Sequence, residues 1–592
     1  SVALQFRERV AASANREAFR WPEGDVWRSA TWRQTGETVD EISAGLIALG
    51  VEPGQTVGII AGTRYEWITA DLAIMCAAAA TTTVYPSTVA EDVAYILADS
   101  GCVLAIAEND DQLAKLRERR SELPSIKNVV LIDGEGDGDW VISFADVIER
   151  GRALLAEQPS VVEDRSAAIA PGDLATLIYT SGTTGRPKGV RLTHEAWTFE
   201  GAVIAAMDVV LEDDLQYLWL PLAHSFGKVL LTAQLACGFA TAVDGRVDKI
   251  IENLAVVKPT FMGAAPRIFE KAHAKVVTTA ESAGGAKAKL FAMAFETGVH
   301  ADRLKREGFP VPFTMRLKLA VYDRLVFSKV RDIFGGRIRC FISGAAPLNR
   351  DIAEWFHAAD MLILEGYGLT ETAAASVCNR IDNYKLGTVG LPLPGVEIKL
   401  GDNNEVLIKG PNVMAGYHNL PEQTAEAIGD DGWFHTGDQG SIDADGFLSI
   451  TGRTKELFKT SGGKYIAPPA IEAKFKAICP YVSQFQVFGH AEKYVVALIT
   501  LDADAITGWA EEHDLAGKSY AEIAASDEAK AMVGGYVDEL NGQLNRWETV
   551  KKWAILDHDL AVETGELTPS LKVKRAVVED KNRGLLDELF AG

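Results

Sequence analysis

The sequence predicts an α/β protein that ends in a smaller α+β region, and three observations predict it. From about Val51 to Pro259 short β-branched runs alternate with amphipathic stretches, the pattern of an α/β domain. After Asn379 the runs shorten and are split by Gly, Pro and Asn, as in a small β subdomain. Beyond a boundary at Arg453 to Glu456, strand-like runs alternate with acidic helical stretches.

The elements follow in order. "TVGIIAG", "VLAIAE", "NVVLID" and "DLATLIYT" read as buried strands, and "EWITADLAIMCAAAA" and "AEDVAYILADSG" as helices. From Ala286 to Phe334 the spacing is helical. Leu317, Val321 and Leu325, then Val326, Val330 and Ile333, recur at helical intervals until Gly335-Gly336 stops the run. "IRCFI" is the next strand and ends in "SGAAPL". "VEIKL", "EVLIKG" and "GFLSITG" belong to the β subdomain, and "QFQVFGH" and "YVVALITL" to the C-terminal region.

Bulk properties narrow the function. A chain of 592 residues is too long for one core. Its net charge of −23 argues against nucleic acid, which needs a basic face, and makes the body of the protein a poor match for an anionic membrane. Any polyanionic substrate must be met by a local cationic pocket. Six scattered cysteines, with no C-x-x-C pair and no His cluster, predict buried thiols in a reducing compartment. The opening "SVALQFRERV" shows no secretory signal, and the most apolar stretches fall short of a membrane span.

Five stretches carry chemistry. "YTSGTTGRPKG", Tyr179 to Gly189, follows a strand and sets Thr180, Ser181, Thr183 and Thr184 hydroxyls among Gly182, Gly185 and Gly189, with Arg186 and Lys188 behind. Such a loop wraps an anion through backbone N–H groups, or is a solvated surface turn; its spacing is not that of a P-loop. "EGYGLTET" places Tyr367 between Gly366 and Gly368, where its ring could stack on a base. Thr370 and Glu371 follow, and a lone carboxylate near triphosphate suits Mg²⁺. "GWFHTGDQG" offers Asp438 after a Thr-Gly turn, a carboxylate fitted to a ribose diol. Arg453 precedes the boundary as a ribose or phosphate contact. "ELTPSLKVKRA" presents Lys572 and Lys574 on one face of an extended segment.

Together these motifs resemble, over nearly the whole chain, the adenylate-forming superfamily of acyl-CoA synthetases, luciferases and peptide-synthetase adenylation domains. Within it the chain is most similar to the long-chain fatty acyl-CoA synthetases. The resemblance implies a large N-terminal domain (1–453) of two α/β subdomains plus a β-barrel-like subdomain. A hinge at 454–456 then leads to a mobile α+β domain (457–592). It implies ATP and coenzyme A as co-substrates, Mg²⁺ at Thr180 and Glu371, and a loop from Thr180 to Gly189 over the β- and γ-phosphates. Ser343, Gly344 and Ala345 of "SGAAP" would line the adenine and acyl-phosphate region, with Tyr367 against adenine. Asp438 and Arg453 would hold ribose, Lys455 would be the pivot, and Gly462 would line the pantetheine channel. Lys572 is the expected adenylation lysine, with Lys574 the neighbouring alternative.

His224 in "LPLAHSFGK" matches a position beside the acyl site, reads equally as a packed core histidine, and is a weaker candidate for general base. Ala233, Ala236 and Gly238 after it either leave room for an alkyl chain or permit close helix packing. The implied reaction makes acyl-AMP and pyrophosphate from a fatty acid, then acyl-CoA and AMP, with domain rotation between the halves. Alternatives are a ligase loading a carrier protein, a luciferase-like oxidase, or a non-catalytic lipid- or nucleotide-binding relative. The last expects erosion at Glu371, Asp438, Arg453 or Lys572, and all four are present. The expected setting is cytoplasmic, with peripheral membrane contact for substrate uptake.

Overall fold

The computed structural model describes residues 1–24, 26–180, 186–453, 457–461, 464–568 and 572–591. The large N-terminal region is built on two sheets. One has seven strands, with Thr56–Ile60 between Ala80–Val84 and Cys102–Ala107 in parallel. Leu174–Thr180 joins Ala80–Val84 in parallel, and Lys188–Thr193 turns back antiparallel at the edge. The other has nine strands and a parallel centre of Ala240–Val243, Leu215–Leu218, Phe261–Ala264, Cys340–Ser343 and Leu362–Tyr367. Val, Ile, Leu and Ala fill these strands because both faces are covered by helices. One continuous core joins the sheets, including Trp67, Trp197, Phe261 and Phe341.

Most strand expectations are met within a residue or two at each end. "EWITADLAIMCAAAA" is shorter as a helix than its alanines suggest. The helix ends at Cys76, Ala78 takes a left-handed φ of 62°, and Ala80 opens the strand Ala80–Val84. Alanine's helix propensity loses there to the strand "ATTTV", whose β-branched threonines are fully buried. Gly335 and Gly336 stop the helical run as expected, at φ 86° and 72°. The N-terminal strands Glu17–Glu23 and Val26–Thr31 add an edge to the nine-stranded sheet beside Ala240–Val243.

The β subdomain is a four-stranded antiparallel sheet of Glu397–Leu400, Glu405–Lys409, Phe434–Ile442 and Leu448–Arg453. The C-terminal region has a three-stranded sheet, Val482–Phe488, Val495–Leu501 and Val550–Ile555, with its own core that includes the stacked pair Phe475 and Phe485. It docks on the helix Pro266–Ser282. There Lys271 pairs with Asp502 at 2.7 Å and Arg267 donates to the Ser483 hydroxyl at 3.0 Å. All six cysteines are free thiols, and burial pushes the Cys76 thiol up to about 12. Among the described residues no helix is long and apolar enough to cross a membrane.

Candidate active site

A cleft of about 3000 Å³ runs from the carboxyl ends of the parallel strands to the C-terminal region. Strand ends are where open α/β sheets place ligands, because the loops there diverge and leave a crevice. The cleft is lined by Thr180, Lys188, His224, Glu371, Asp438 and Lys572, residues nearly four hundred positions apart in sequence. Ser343, Gly344, Ala345, Gly366, Tyr367, Gly368, Thr370 and Arg453 line it as well. Ser181, Gly182, Thr183, Thr184 and Gly185 of the signature loop, together with Lys455 and Gly462, lie outside the described residues.

Thr180 is the last residue of its strand and pairs in register with Lys188, the first of the next. Three consecutive links then add the segment 415–418 to that edge: Ala415 to Arg191, Arg191 to Gly416, and His418 to Gly189. This places the Tyr417 ring 5.0 Å from the Lys188 ammonium and its hydroxyl 2.9 Å from Glu371 Oε1, to which it donates. Burial and the Glu371 charge hold the Tyr417 phenol in its protonated, donating form. Sequence reasoning missed Tyr417; its one signal is the Gly-Tyr pair in "MAGYHN".

Glu371 itself sits in a single 3₁₀ turn, Thr370–Thr372, followed by Ala373 and Ala374 at φ 51° and 89°. Two successive left-handed alanines are strained and persist only where surrounding contacts impose them. One such contact is at Gly368, where a Cβ would fall 1.9 Å from the Ala374 carbonyl oxygen. The second glycine of "GYG" is therefore a steric requirement of the turn that presents Glu371.

The Asp438 carboxylate is bound at both oxygens. Tyr367 donates to Oδ2 at 2.7 Å and Arg453 Nε to Oδ1 at 2.9 Å. Asp438 and Arg453 are register partners on neighbouring strands. Thr436-Gly437-Asp438 is thus not a free turn. It lies inside the strand Phe434–Ile442, where Gly437 at φ 69° kinks the chain and the Thr436 hydroxyl accepts the Asp438 N–H. Tyr367 is tied to this carboxylate through its hydroxyl, leaving its ring on the cleft wall.

Ser343, the last residue of its strand, is the register partner of Glu365 on the neighbouring parallel strand. Ser343 Oγ and Glu365 Oε1 are buried without a hydrogen-bond partner among the described residues, which suits a wall completed by a polar ligand. Burial raises the Glu365 carboxyl to about 7 against two backbone N–H groups that hold it down. Glu365 opens the string "EGYGLTET", where nothing in the sequence marks it apart from the acid at Glu371.

His224 caps the helix Ser225–Cys237, its Nδ1 accepting the Phe226 N–H at 3.1 Å. The helix is fixed by a buried ion pair between Lys228 and Asp71, flanked by Trp67 and Trp197. Burial, and then the positive charge of Lys572, lower the His224 imidazole to about 3, so it is neutral with its proton on Nε2. A ring in that state donates a hydrogen bond from Nε2 while Lys572 is in place. Ala233 lines the cleft with Val229 and Leu230, one turn back on the same face. Ala236 instead accepts from Arg9 through its carbonyl, and Gly238 is the left-handed cap after the helix rather than part of it.

Lys572 is held by a reciprocal backbone pair with Thr568, its carbonyl accepting at 2.7 Å and its N–H donating to the hydroxyl at 3.0 Å. Lys574 takes the alternate position and precedes the helix Arg575–Lys581. Both line the cleft, and the charge felt at His224 is that of Lys572.

Residues 6–418 match the family model described as AMP-binding enzyme. The chain belongs to the AMP-binding enzyme family. Among its relatives, a long-chain-fatty-acid–CoA ligase of Mycobacterium bovis is 37% identical over 95% of this chain and 93% of its own. The peroxisomal long chain acyl-CoA synthetase 6 of Arabidopsis thaliana is 31% identical over 92% and 79%. Among solved structures, the adenylation domain of a carboxylate reductase from Mycobacterium chelonae superposes with a TM-score of 0.78 at 20% identity, covering 100% of this chain and 91% of that one. The anthranilate CoA ligase AuaEII gives 0.72 at 19% identity over 98% and 96%. These structures share the fold of this chain.

Proposed function

We propose that the protein activates a long-chain fatty acid with ATP and transfers the acyl group to coenzyme A. A carboxylate oxygen attacks the α-phosphorus, the bond to pyrophosphate breaks, and acyl adenylate forms. The CoA thiolate then attacks the acyl carbonyl and AMP leaves. The observation that carries this reading is that Lys572, supplied by the C-terminal region, lines the same cleft as His224, Asp438, Arg453 and Glu371. Relatives named for that activity align over nearly the whole chain.

The reaction joins two anions, so the protein's work is positioning and charge neutralisation rather than supplying a nucleophile. Asp438 takes the ribose diol as acceptor, and Arg453 holds that carboxylate in place. Lys572 bridges the fatty carboxylate and the α-phosphate. His224 donates from Nε2 toward the reacting acyl group. The apolar face of Val229, Leu230 and Ala233 accommodates alkyl chain.

Among the described residues no three metal-ligating side chains cluster, so a cation here would rest on Glu371, the Thr180 hydroxyl and the nucleotide's own phosphates. That sparse oxygen set fits Mg²⁺, which would neutralise phosphate charge. Glu371 is oriented for it by Tyr417. For the second half-reaction Lys572 must leave and the thiol must enter, so the C-terminal domain turns about 454–456.

The test is AMP release with ATP and CoA across fatty acids of increasing length. A thioester forming with long chains supports the reading. Acyl adenylate without thioester would favour the carrier-loading alternative, and neither product would favour a binding protein.

A further inference from the structure

The helix Phe313–Tyr322 has no buried residue, although six of its ten side chains are large and apolar. Leu319 and Tyr322 turn inward and pack against the main core. The opposite face is exposed: Phe313 is 71% accessible, Leu317 55% and Val321 54%, and Leu325 at 45% continues the line. These four residues are each spaced by four, which stacks them into one stripe. A stripe of this kind in a soluble protein marks a surface that something else covers.

The surrounding charge identifies what. Residues 303–331 carry eight Lys or Arg and two Asp or Glu, a local net charge of +6 in a chain of −23. Arg303, Arg306 and Arg331 are neutralised by Glu354, Asp302 and Asp323. Lys305, Arg316, Lys318, Arg324 and Lys329 are exposed and form no ion pair among the described residues. A crevice of about 760 Å³ beside the helix is lined by Lys305 and Arg316 together with Phe309, Val311 and Leu319.

We propose that this face docks the protein on an anionic lipid bilayer, with the stripe in the interfacial layer and the five cations among the lipid phosphates. An apolar stripe flanked by lysine and arginine is the chemistry of an interfacial helix. Protein interfaces, by contrast, are depleted in lysine. The acidic remainder of the chain is repelled by the same membrane, so the docking has one orientation.

The test is co-sedimentation of the full chain with vesicles of phosphatidylcholine, alone or with about 30% phosphatidylglycerol, a composition that gives an anionic surface. The expected result is binding to the mixed vesicles that weakens as salt rises. L317D/V321D and R316E/K318E should each bind at least about tenfold more weakly while keeping the wild-type melting temperature. Binding that both variants retain, equal binding to phosphatidylcholine alone, or no binding at all would overturn the proposal. So would a stripe variant that converts a dimer to a monomer in sedimentation, which would assign the face to a second copy. Should L317D/V321D lose stability, R316E/K318E decides.

Discussion

Replacing Asp438 by Asn keeps the shape of a buried side chain and removes its charge. In the wild type both carboxylate oxygens accept, from Tyr367 at 2.7 Å and Arg453 at 2.9 Å. An amide accepts on one side only and turns an NH₂ toward the other donor. At least one charge-assisted bond is lost, worth about 1.5–3 kcal/mol. Arg453 is two-fifths exposed, so its Coulombic share is discounted and the stability loss should be about 2 kcal/mol. A ribose diol donating to the same carboxylate loses about 2–3 kcal/mol, or roughly 30- to 150-fold in kcat/KM for ATP. Tyr367→Phe is the control. It removes one neutral donor and leaves the Arg453 pair, so the loss should be about five- to tenfold. The assay is pyrophosphate release at saturating fatty acid with ATP varied, alongside thermal melting. An Asp438→Asn enzyme within threefold of wild type for ATP would refute the role, as would a loss confined to the fatty-acid KM.

Further outcomes are expected. Lys572→Ala should abolish acyl-adenylate formation and spare CoA attack on supplied acyl adenylate, whereas Lys574→Ala should keep both; the two half-reactions measured separately decide it. Lys271→Glu should slow adenylation several-fold more than thioester formation, because it breaks the pair with Asp502 that docks the C-terminal region beside the cleft. Adding Asp502→Lys should recover the rate in stopped-flow single turnovers. Burial lowers His194 to about 4 and His224 to about 3, so the folded chain resists their protonation and the unfolded chain does not. The histidines' share of stability should thus be full above about pH 6.5 and fall below it, by about 1.4 kcal/mol per pH unit for each, while the raised Glu365 carboxyl contributes with the opposite sign; urea melts of the wild type and His194→Gln at pH 7 and pH 5 isolate the histidine share.

The parallel strands were legible because burial on both faces writes itself as continuous β-branched runs. That Thr180, Asp438 and Lys572 meet in one cleft was legible from the order of the strings that carry them along the chain. Tyr417 was not, since its role comes from a segment added to a sheet edge through backbone bonds that leave no side-chain pattern. The turn at Ala78 was hidden for a similar reason: alanine reads as helix, and only the next strand's claim on Ala80 ends it. Spacing found the stripe at Leu317, Val321 and Leu325, yet periodicity says that a helix has an apolar face, not what that face meets.

Arg453 is both the partner of Asp438 and the final residue of its strand. Leu457, where the described chain resumes, sends its N–H back to the Arg453 carbonyl at 3.0 Å. A nucleotide seated on Asp438 would therefore grip the large domain at the root of the segment about which the small one would turn. On the proposed mechanism occupancy and rotation would share a fulcrum: whatever loosened ribose would slacken the pivot, and whatever strained the pivot would be felt by AMP. Release of the last product and return of the C-terminal domain would then be one mechanical event.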